Sequence, residues 1–147
     1  MKYVSYITIV IIAGVVTFGC STTPNGPDFS EQFTEFNALE TELSSLQVDP
    51  EPKKDHAITD INIKRLKNQI LHLRRFLERL VKYEKNHPND EAHTLIRQAI
   101  HFANSALEAF EKEEYRKAYR LLRRARQLAH DALKILRPVT DKSHEGP

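Results

Sequence analysis

An all-α fold, an up-down four-helix bundle with a long antiparallel hairpin at its C-terminal end, is what this 147-residue sequence predicts. Three observations carry the prediction. Glycine occurs only at 14, 19, 26 and 146, and proline only at 24, 27, 50, 52, 88, 138 and 147, so helix breakers cluster and leave long uninterrupted stretches between them. Within those stretches apolar residues recur at steps of three and four, the period of a helix with one buried face. Net charge then alternates from one stretch to the next. With 40% hydrophobic and 29% charged residues, the chain suits one globular domain and is too short for two.

The N-terminus stands apart. Residues 3 to 27 carry no charge, and Lys2 precedes an apolar run from Val4 to Phe18, the layout of a signal peptide. The run is shorter than the roughly 20 apolar residues a membrane span requires. It ends at Gly19-Cys20, and Cys20 is the only cysteine, which excludes an internal disulfide. Gly19-Cys20 resembles the bacterial lipobox, although Thr17 and Phe18 stand where that pattern has Leu and Ala or Ser. The resemblance implies a signal peptide over 1–19, removed before a lipidated Cys20, and a flexible tether over 20–27. Several acyl chains would hold the protein on a bilayer persistently. Ser21 after the cysteine implies, by the same resemblance, the outer membrane, with the body facing the periplasm.

The body spans 28–137 and its first segment, 28 to 47, opens with Asp28 and Glu31, an acidic analogue of a capping box. Phe29, Phe33, Phe36, Leu39, Leu43 and Leu46 form its stripe, read as core. Residues Val48 to Asp55, with Pro50 and Pro52, read as a linker. The second segment, 60 to 86, carries Ile63, Leu66, Ile70, Leu73, Leu77 and Leu80 in alternating steps of three and four, a heptad seam that must pack on another helix. His87-Pro88-Asn89 stops it. Asn89 or Asp90 caps the third segment, 90 to 113, and Asp90 and Glu91 suit the positive end of its dipole.

Ala92, Ile96, Ala99, Ala103, Ala106 and Phe110 form the third seam, and Tyr115, Ala118, Leu122, Ala125, Ala129, Ala132 and Leu136 the fourth. Composition would permit one continuous helix, because residues 89 to 137 hold neither Gly nor Pro. Phase argues against it. Extending the third seam past Phe110 lands on Glu113 and Lys117, so a turn near Lys112 to Glu114 is required for both stripes to face each other. Residues 138–147 read as a disordered tail.

The charge blocks agree with that topology. Residues 28–55 hold eight acids and two bases, 60–85 three and eight, 90–114 six and two, and 115–137 one and eight. Antiparallel neighbours thus bring opposite fields together.

The hairpin offers the clearest hint of function. Tyr115, Ala118 and Ala125 are spaced like the second helix of a tetratricopeptide repeat, and the match spans Phe102 to Ala129. Glu113 stands where the repeat has Gly, and there is no second copy, whereas a solenoid requires about three. The hairpin also resembles those of uncharacterised helical envelope lipoproteins. These resemblances imply a protein partner in the envelope rather than catalysis, and Arg116, Arg120, Arg123 and Arg124 on the fourth segment are the candidate contact residues. The alternative is a periplasmic metal-binding or sequestering protein using His93, His101 and His130, which resemble the Ala and His spacing of a helical periplasmic metal-binding family. His93 and His101, however, lie eight residues and about 12 Å of helical rise apart, and no His-x-x-x-His pair supplies a local chelate.

No nucleophile elbow, phosphate loop or converging acid pair is present, so neither enzyme nor cofactor is expected. The basic faces would suggest nucleic acid in a cytosolic protein. For an exported one the expectation is a solvated face, an acidic partner or anionic headgroups, with no nucleic acid involved. Exposed heptads also permit a homo-oligomer.

Overall fold

The computed structural model describes residues 29–53 and 57–138. The signal peptide, Cys20, the tether, the Asp28 cap and the tail beyond Pro138 lie outside the described residues. Four helices follow one another: α1 Phe29–Ser45, α2 Asp60–Asn86, α3 Asp90–Glu111 and α4 Tyr115–Ile135. They form an all-α bundle. None of them is long and apolar enough to cross a membrane.

Each boundary has a local cause. The Thr59 hydroxyl accepts the Asn62 amide at 3.4 Å to open α2, and Asn89 Oδ1 accepts the Ala92 amide at 2.9 Å to open α3. The turn between α3 and α4 is a Schellman closure. The Glu114 amide reaches Ala109 O at 2.9 Å, the Glu113 amide reaches Phe110 O at 3.0 Å, and Glu113 takes φ 61°. Among the described residues Glu113 is the one non-glycine with positive φ. The turn therefore falls where the phase of the two stripes demands it.

Burial follows the seams and extends beyond them. Phe36, Leu39, Leu43 and Leu46 are buried, as are Leu66, Ile70, Leu73, Leu77 and Leu80. Ala99, Ala103 and Ala106 of α3 and Ala118, Ala125 and Ala129 of α4 are also buried, and α3 and α4 share the most extensive interface in the molecule. Small side chains allow that close approach. Off the seams, Phe76, Tyr83, Tyr119, Leu128 and Leu133 are buried too, because a bundle helix has two flanking neighbours and needs a wider stripe than one partner would require.

The path of α1 follows from its partners. Glu40 pairs with Arg137, Glu42 with Arg79, Asp49 with Arg65, and Glu51 with Arg120. As the α1 chain advances, its partners recede along α2 and along α4, so α1 runs antiparallel to both. At about 25 Å it is shorter than α2 at about 40 Å. Residues 46–53, expected to be a linker, continue its course as a non-helical strap along the remaining length of the groove, with Val48 packed against the core.

Candidate functional site

The arginines of α4 divide into two populations. The first is taken up by the strap. Arg126 donates from Nε to Leu46 O at 2.6 Å and from Nη2 to Leu43 O at 3.3 Å, which satisfies carbonyls at the end of α1. Arg116 donates to Lys53 O at 3.1 Å, and Arg120 Nε lies 3.9 Å from Glu51 Oε2. From α2, Gln69 donates to Gln47 O at 2.8 Å, and Arg65 pairs with Asp49 at 3.4 Å. The strap is thereby fixed at each step by a cation or amide from one of the two basic helices.

Arg123 and Arg124 form the second population. Both are exposed on α4, and neither has an ion pair or hydrogen bond among the described residues. Of the four arginines expected to meet a partner, the structure thus places Arg116 and Arg120 against the chain's own linker and leaves Arg123 and Arg124 open to solvent. Near the start of α4, Lys117 pairs with Glu114 at 2.9 Å. The hydrogen bond from Lys117, with its charge and that of Lys112, holds the Glu114 carboxyl below its ordinary value.

The expected meeting of opposite fields occurs on one side only. The acids of α1 and the strap pair with α2 and α4, but no acid of α3 pairs with either among the described residues. The reason lies in their placement. Residues 92–107 of α3 contain no Asp or Glu, and the acids stand at its two ends. Opposite that acid-free stretch a groove of about 450 Å3 opens between α2 and α3. Leu77, Val81, Ile100 and Ala103 supply its apolar lining, and Arg74, Lys82 and Lys85 stand around it with Glu78 as the single acid. In the sequence Arg74 and Lys82 stand out only as members of the basic face of the second segment, and Lys85 does not stand out at all. The signal available was the absence of acids on the facing half of α3.

The histidines are distributed differently from what a chelate would need. His93 Nδ1 lies 3.3 Å from the carboxylate of Glu84, a nearly buried acid at the α2–α3 turn. His101 meets Phe102 edge-on at 5.8 Å, and His130 is exposed on α4. His93 and His101 line one shallow depression on α3 with Arg97. Among the described residues no group of three His, Cys, Asp or Glu could hold a metal ion.

A different feature marks the far end of α2. Tyr83 is fully buried, stacks on His87 at 4.3 Å and tilts against Phe36 at 6.1 Å, and its hydroxyl has no hydrogen-bond partner among the described residues. Burial, with Glu35 nearby, pushes its phenol above the ordinary value. Tyr119 is also buried and donates to Asn62 O at 3.4 Å, and burial together with Asp49 raises its phenol likewise.

No family model matches the chain, nor does any curated protein or solved structure.

Proposed function

We propose that this protein is a lipid-anchored cell-envelope module, held on the outer membrane through Cys20 and facing the periplasm, whose helical body binds or scaffolds an acidic protein partner. The observation that supports this best is a contrast along α4 and the residues just after it: Arg116, Arg120 and Arg126 of α4 and Arg137 beyond its end are engaged by the chain itself, while Arg123 and Arg124 stand exposed without a partner among the described residues. Paired arginines at this surface stabilise the bundle. Unpaired ones, carrying planar donors suited to carboxylates, are available for recognition.

Two measurements test separate halves of this reading. Mass spectrometry of the mature N-terminus is expected to find a diacylglyceryl thioether and an acylated amine at Cys20. An unmodified Cys20 overturns the anchor. For the partner, proteins crosslinked to the chain in intact cells are compared between the native sequence and R123E/R124E, with K64E/K67E on α2 as the control. Loss of a discrete crosslinked species in the first variant alone supports the α4 contact surface, and equal recovery in all three removes it.

A further inference from the structure

We infer that the groove between α2 and α3 holds an anionic phospholipid drawn from the bilayer to which the chain is anchored, with one acyl chain along the apolar lining and the phosphate among Arg74, Lys82 and Lys85. The geometry supplies both halves of an amphiphile site. Leu77, Val81, Ile100 and Ala103 line an opening of about 450 Å3, inside the range of about 300–1,000 Å3 usual for small-molecule sites.

The charge around the groove is uncompensated. Around α1 and the strap the arginines meet acids: Arg65, Arg79, Arg120 and Arg137 each pair with a carboxylate of α1 or the strap. At the α2–α3 groove Arg74, Lys82 and Lys85 have no ion pair among the described residues, and the facing stretch of α3 offers no acid at all. Lys82 also borders Glu35 and Glu42 across the α1 side of α2, but Arg74 and Lys85 with Lys82 against Glu78 still leave the groove net positive, which favours an anion that arrives from outside.

The lipid source is argued from chain length and rests on the lipidation of Cys20. Eight residues lie between Cys20 and Phe29, a reach of at most about 30 Å from one to the other. Phe36 packs on Tyr83, so α1 starts at the end of the bundle where α2 finishes. Lys82 and Lys85 belong to that same end. The tether therefore holds this mouth of the groove close to the headgroups.

The test uses the full chain in phosphatidylcholine vesicles doped with a phosphatidylglycerol whose acyl chain carries a photoactivatable diazirine, at 0.15 M salt. Adducts are expected to concentrate on peptides containing Leu77, Val81 and Ile100, and to fall at least tenfold in K82E/K85E, both exposed positions where charge reversal leaves the core intact. R123E/R124E, on another face, should label as the native chain does. Labelling spread evenly over the chain, or unchanged in K82E/K85E, overturns the proposal, as does equal labelling by a phosphatidylcholine probe. Because the readout is the position of the adduct, a chain that labels at the groove but lacks lipid on Cys20 refutes the anchor and retains the site.

Discussion

At Tyr83 the fold has buried a hydroxyl without giving it a partner among the described residues. Such a group costs about 1–3 kcal/mol, so Tyr83→Phe is expected to stabilise the protein by about 1 kcal/mol, read as a rise in thermal midpoint of about 4 °C. A fall in midpoint would mean that the hydroxyl is satisfied in solution. The same burial sets an alkaline limit. The folded-state phenols of Tyr83 and Tyr119 are raised, so above pH about 10 the unfolded chain sheds protons that the folded chain retains. Stability then falls as pH rises, from about pH 10 upward through the folded values. Tyr83→Phe should flatten that decline, and urea titrations at pH 9, 10 and 11 measure it. Glu113 presents the opposite problem, a residue with a Cβ in the left-handed region. Its cost is about 1 kcal/mol relative to glycine, so Glu113→Gly should raise the urea midpoint with the slope unchanged. An unchanged or lowered midpoint would show that the Glu113 side chain contributes more than its backbone costs.

Among the elements, the four helices were legible from periodicity, and the strap was not. Leu66, Ile70, Leu73, Leu77 and Leu80 announce themselves at steps of three and four and are all buried. Residues 46–53 have no period. They are held chiefly through backbone carbonyls, and nothing in a sequence marks a carbonyl as the target of an arginine 80 residues away. For the same reason Arg126 could not be told from Arg123, although both are α4 arginines and only Arg126 reaches α1. Asp49 and Glu51 were visible as acids in a linker, but their partners depend on α1 running antiparallel to α2 and α4 at once. The energetics of the strap follow from this division. Exposed pairs such as Arg120–Glu51 contribute about 0–1 kcal/mol and are screened by salt. Arg126, half-buried and donating twice, contributes about 1.5–3 kcal/mol. Arg126→Met should therefore lower unfolding free energy by about 2 kcal/mol and Glu51→Gln by less than about 0.5 kcal/mol, as read in urea. Equal losses would show that the strap is held by side-chain charge rather than by its carbonyls.

For the whole molecule, the distribution of packing implies an order of opening. Among the described residues α3 and α4 share the most extensive interface, α2 lies chiefly on α3, and α1 packs on α2 and α4 and on no other helix. A chain built this way can release α1 and the strap while the other three helices remain associated, because Leu66, Ile70 and Ile96 still have partners on the remaining core. The strap is fixed by one half-buried arginine and several exposed pairs, and Pro50 and Pro52 fall between α1 and α2, so no helical structure has to break for α1 to leave. Opening would uncover together the acid-pairing arginines 65, 79, 120 and 137 and the carbonyl-binding Arg126, an extended basic groove on α2, α4 and the residues just after α4. Native-state hydrogen exchange in low urea resolves the order. Amides of Leu39 and Leu43 are expected to exchange through an opening of lower free energy and smaller urea dependence than those of Ala103, Leu122 and Ala125, which should exchange only by global unfolding. Arg126→Met should lower both opening free energies by about 2 kcal/mol, because its bonds to Leu43 O and Leu46 O are absent from either open state. If α1 amides exchange with the global free energy and its full urea dependence, the four helices form a single cooperative unit and α1 is no separable element.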